Sequence, residues 1–108
     1  MEISARDVTR LRAGKDKLAR ERVVKAVDGV IHAEQDAAKA QAQLAQFAAS
    51  AGTALARIEL ATAPYEGLAS YGDTLYTALI ARTRAWQELV DAAGADAVDE
   101  LIGRRRRD

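Results

Sequence analysis

The chain's single histidine, His32, stands four residues from Asp28 and four from Asp36, with Glu34 close by. On a helix this spacing would put two carboxylates and an imidazole along one face, a set that can touch a divalent cation. Metal sites in helical bundles draw carboxylate and histidine pairs from several helices, and one histidine cannot supply them. The set therefore reads as a solvated polar face, and no metal is expected. Absence of cysteine removes thiolate ligands and disulfides. Ser4, Ser50 and Ser70 are the serine nucleophile candidates, but no nucleophile-elbow glycine pattern surrounds them, and His32 is the one imidazole base. Gly14-Lys15 lacks the upstream glycine and the following hydroxyl of a phosphate loop, and no dinucleotide fingerprint occurs. Tyr65 to Gly72 reads as a glycine-containing bend, whose tyrosines would line a ligand or, more simply, pack over a helix turn. No catalytic or cofactor-binding residue is expected, and the chain reads as a non-enzyme.

Basic side chains are the next chemistry on offer. Arg104, Arg105, Arg106 and Arg107 form a run near the C-terminus, and Arg6, Arg10, Arg12, Lys15 and Lys17 make a second basic surface. Both could meet phosphates, so a nucleic-acid-associated helical protein is the alternative reading. Against it, formal net charge is zero. Nothing resembles a short-helix recognition motif either. Charge is instead divided along the chain: residues 1–25 hold eight basic and four acidic side chains, whereas residues 73–103 hold two basic and six acidic.

These groups must be positioned by helices. Of the 108 residues, 25 are alanine, and 13 of those fall among the 31 residues from Ala33 to Ala63. Alanine makes helix at the least entropic cost and lets a second backbone approach closely. Ser4 and Asp7 suit a capping box, and the run from Ser4 to about Ser50, with glycine only at positions 14 and 29, reads as one long helix. Leu11, Leu18, Val23, Val27, Val30, Ala37 and Leu44 recur at helical spacing, which outweighs a short strand through the β-branched residues 23–31. Ala51-Gly52-Thr53 is a first candidate break, although the helix can also run through Gly52. Pro64 either ends a helix or sits in the first turn of one. Pro64 to Asp73 reads as the reversal, followed by a helix from Ser70 or Asp73 to Ala93. In that helix Leu75, Leu79, Ile80, Thr83, Trp86, Leu89 and Val90 would form the stripe. Gly94 is a stop, and Asp96 begins a last helix of about two turns.

A bend near residue 58 would lay these helices back to back. Trp86 then meets Val30 and Ile31, Tyr76 meets Ala40, and Phe47 meets Leu68 and Tyr71. Asp91, Asp96, Asp99 and Glu100 come alongside Lys15, Lys17, Arg20, Arg22 and Lys25. The expected fold is all-α, an extended antiparallel helical hairpin or small helical bundle, coiled-coil-like, with a short C-terminal helix. Residues 1–103 form its single domain and residues 104–108 a basic tail. In this register residues 1–12 have no opposite arm, so Ile3, Val8 and Leu11 are expected to be exposed and to bind a partner. Val27, Ile31 and Trp86 complete the expected core and contact set.

The expected function is a helical assembly or adaptor protein acting through protein–protein contacts. It would be a subunit of a larger particle, such as phage or secretion machinery, or a small regulator of a protein target. A protein partner or self-association is implied, and no cofactor. The N-terminal residues carry no apolar leader, and the most apolar run, from Leu44 to Ala63, is mostly alanine, so membrane insertion is not expected. A cytoplasmic or particle-associated location follows.

Overall fold

The structure, a computed structural model, describes residues 3–56 and 63–107, with the side chains of 51–56, 63–66 and 105–107 set aside. Helices α1 (Ala5–Arg12), α2 (Lys17–Ala56), α3 (Ala63–Ala93) and α4 (Ala95–Arg107) account for nearly all of these residues, with no strand among them. The long helices α2 and α3 pack as an antiparallel hairpin, and α1 and α4 fold against its open end. The molecule measures 62 × 27 × 18 Å, with a radius of gyration of 18.7 Å. A compact chain of this length would have a radius of about 13 Å, so the hairpin is extended.

The seam between α2 and α3 runs in heptads. On α2 the inward residues are Ala26, Val30, Ala33, Ala37, Ala40, Leu44 and Phe47, alternately three and four apart and all buried or half-buried. On α3 the same spacing joins Leu68, Tyr71, Leu75, Ala78, Arg82, Ala85 and Leu89. That is the repeat of a left-handed coiled coil. Its middle is alanine, which explains how two helices pack here with so few large side chains.

Two cross-arm contacts fix the register. The Trp86 indole Nε1–H donates to Glu34 Oε1 at 2.7 Å, and Arg82 Nε lies 3.8 Å from the same oxygen. Further out, the rings of Phe47 and Tyr71 sit 5.1 Å apart at 35°. The Phe47 pairing is the one expected from a bend near residue 58. Trp86, however, reaches Glu34, about one helical turn beyond Val30. Residues 57–62, where the bend expected near residue 58 falls, lie outside the described residues.

Several local expectations are corrected. The first helix is not continuous: it stops at Arg12 and restarts at Lys17. Gly14 adopts φ +75°, which an L side chain rarely tolerates, and Asp16 Oδ1 accepts from the Ala19 amide at 2.7 Å, capping α2. Helix α2 passes through Gly52 to Ala56, and Pro64 lies in the first turn of α3, where its missing N–H costs nothing. Residues 64–73 are therefore helix and not a bend. Gly94 at φ +98° ends α3 as expected, but α4 starts at Ala95 and continues through Arg107. The basic run is thus the last turn of a helix, not a separate tail.

Candidate docking surface

Of the residues expected to dock a partner, Leu11 is in the core, and Ile3 and Val8 are half-buried against it. Ser4 and Asp7 form the expected capping box, with the Asp7 amide donating to Ser4 Oγ (3.2 Å) and the Ser4 amide to Asp7 Oδ2 (3.0 Å). After Gly14 the chain turns, and α1 lies along α2 and α4. Leu11 is 3% exposed and sits with Val23, Val27, Val30, Leu89, Val98 and Leu101, while Ile3 and Val8 pack against that cluster. The exposure expected of Ile3, Val8 and Leu11 is overturned. The break at Gly14 supplies the opposite arm that a straight helix would have lacked. Val27, Ile31 and Trp86 join the same cluster, as expected.

The basic residues are not gathered into one patch. Arg6 and Arg10 are exposed on α1, whereas Arg104 is half-buried with Nη2 3.7 Å from Asp7 Oδ1, tying α4 to α1. Arg105, Arg106 and Arg107 share the last turn of α4, their side chains outside those described. Elsewhere Arg12, Lys17, Arg20 and Lys25 line a shallow groove around Val24, together with Glu21 and Asp28. On the hairpin's own groove Arg22 and Lys25 of α2 share walls with Glu88 and Asp91 of α3. Of the acidic residues expected beside the basic arm only Asp91 shares this groove, and no ion pair forms in it among the described residues, whereas Asp96, Asp99 and Glu100 lie on α4, which packs on α3 and α1.

His32, Ser4 and Ser50 are engaged locally, and Ser70 is exposed on α3. His32 Nδ1–H donates to the Asp28 carbonyl one turn back at 2.8 Å. Ser50 Oγ–H donates to the Gln46 carbonyl at 3.3 Å, and Ser4 is spent on its cap. No cluster of three metal-ligating side chains occurs among the described residues. No helix among them is long and apolar enough to cross a membrane.

Beyond Leu18 and Val24 on α2, the exposed large apolar side chains among the described residues lie on α3. Tyr76, expected against Ala40, is 67% exposed, and Leu79 and Ile80 of the same helix are also exposed. In the outer half of the hairpin every exposed large apolar side chain among the described residues is on α3 and none on α2. With the seam at Leu75, Ala78, Arg82 and Ala85, the residues Asp73, Tyr76, Ile80 and Arg84 lie on the opposite side of the helix. The exposed Thr83 donates its hydroxyl to the Leu79 carbonyl at 3.0 Å. Sequence reasoning placed Leu79, Ile80 and Thr83 in the buried stripe. The signal available was the competing heptad Leu68, Tyr71, Leu75, Ala78, Ala85 and Leu89, obscured because Arg82 interrupts it and alanines dilute it.

Comparison with known proteins gives no matching family model, no matching curated relative and no matching solved structure.

Proposed function

We propose that this chain is a non-enzymatic helical assembly or adaptor protein, acting in the cytoplasm or within a larger particle, and that it docks a partner helix on the outer face of α3. The observation that carries the reading is the exposed pair Tyr76 and Ile80, one turn apart on the side of α3 away from the seam, with the exposed Leu79 at its flank. Singly exposed apolar residues are ordinary on a protein surface, but consecutive turns of them on one helix side match helix-in-groove and bundle-forming contacts. Burial of Leu11 at the open end supports placing the docking role on α3 and not on α1.

Replacing Tyr76 and Ile80 together by aspartate tests this. The side chains are exposed, so helicity and melting temperature should hold to within a few degrees. In extracts of the native source the altered chain should elute at its own size, while the native chain elutes in an assembly. Identical elution of the two would refute the reading.

A second reading, nucleic-acid association, is supported by the groove of Arg12, Lys17, Arg20 and Lys25. It requires oligonucleotide binding that weakens steeply with salt and is lost on replacing Lys17 and Arg20 by glutamate.

A further inference from the structure

The apolar stripe on α3 is bracketed by opposite charges. Asp73 stands three residues before Tyr76, and Arg84 four residues after Ile80, all on one side of the helix. Both end residues are exposed, and neither forms an ion pair with a described residue. Ala78 lies midway between Tyr76 and Ile80 and is also the middle residue of α3 (Ala63–Ala93). A pattern that reads acid, aromatic, aliphatic, base about its own midpoint is its own complement when reversed.

We propose that the occupant of this face is a second copy of the same chain, docked antiparallel about a two-fold axis near Ala78. This rests on the docking reading above and names its partner. Reversing one α3 about that point sets Tyr76 of each copy against Ile80 of the other. It also brings Asp73 beside Arg84 of the second copy at both ends, as an isologous interface requires. Parallel pairing would set Asp73 on Asp73 and Arg84 on Arg84, and like charges in register oppose it. The two hairpin arms then stack as four helices, the paired α3 helices at the centre, with the open ends pointing apart.

Charge reversal tests both the partner and the direction. Asp73→Arg alone places arginine against arginine at both ends, and Arg84→Asp alone places aspartate against aspartate. Mixed in equal amounts, the two variants recover two opposite-charge pairs in the heterodimer. Sedimentation equilibrium at low salt should show the native chain as a dimer. Each variant alone should dissociate roughly tenfold more readily or worse, and the mixture should return close to the native value. Circular dichroism on each variant checks that the fold is intact.

Three results overturn the proposal: a native chain that stays monomeric, single reversals that leave the dimer unchanged, or a mixture no tighter than its components. If the purified chain is monomeric while the Tyr76 and Ile80 replacements still release it from its assembly in extracts, self-pairing alone falls. If those replacements also change nothing, the docking reading falls with it.

Discussion

Leu11 separates a core role from a docking role. At 3% exposed, it touches a cluster drawn from all four helices, so Leu11→Ala removes buried methyl groups and leaves a hole. Such changes cost about 2–5 kcal/mol. Helix α1 has only eight residues and lies at the margin of the cluster, so it can settle into part of the space, which favours the lower half of that range. Taking about 2.5 kcal/mol, and a shift of about 4–8 °C per kcal/mol for a domain of this size, the melting temperature should fall by about 10–20 °C. Leu18→Ala is the matched control: the side chain is 66% exposed, and its loss should alter stability by less than about 0.5 kcal/mol. Thermal melts followed by circular dichroism, with Trp86 fluorescence as a second probe, read both variants. The reasoning fails if Leu11→Ala melts like Leu18→Ala, and fails more pointedly if it changes association while leaving the melt untouched. That second outcome would mean α1 presents Leu11 outward.

The cross-arm bond of Trp86 gives a further test. Glu34→Ala leaves the half-buried indole N–H and Arg82 without their acceptor and should cost about 1–3 kcal/mol, whereas Glu34→Gln keeps an acceptor for the indole and should cost less. Chemical denaturation orders the three proteins, and equal stability of Glu34→Ala and the native chain would remove this contact as a register lock. Two glycines should respond with opposite sign. Gly29 lies mid-helix with open space where a Cβ would stand, so Gly29→Ala should stabilise by about 0.5–1 kcal/mol. Gly94, at φ +98°, has equal room but a backbone that L residues resist, so Gly94→Ala should destabilise by about 1 kcal/mol or more. Shifts of the same sign at both positions would contradict the break between α3 and α4.

Features set by a few neighbouring residues were legible in the sequence. The Ser4 and Asp7 box, the stop at Gly94, the antiparallel hairpin and the meeting of Phe47 with Tyr71 follow from capping chemistry, glycine conformation and the register of two helical arms. The break at Gly14 was not, because a lone glycine costs a long helix only about 1 kcal/mol and the gain that decides it comes from Leu11 reaching a distant core. Pro64 was ambiguous for a similar reason: the same ring that ends one helix starts another. The phase of α3 was misread because it carries two apolar stripes. Alanine lets the seam run through Ala78 and Ala85, so the larger Tyr76, Leu79 and Ile80 are left outside, and hydrophobicity alone does not say which stripe faces inward. The candidate docking surface therefore became visible only once the seam was placed.

Site-specific photo-crosslinking within the native source addresses the docking surface most directly. A photoreactive residue in place of Tyr76, on the outer side of α3, should yield a discrete polypeptide adduct, and one in place of the exposed Ala42, on the outer side of α2, should not. An adduct at both positions alike, or at neither, would contradict the assignment of α3 as the face through which this protein works.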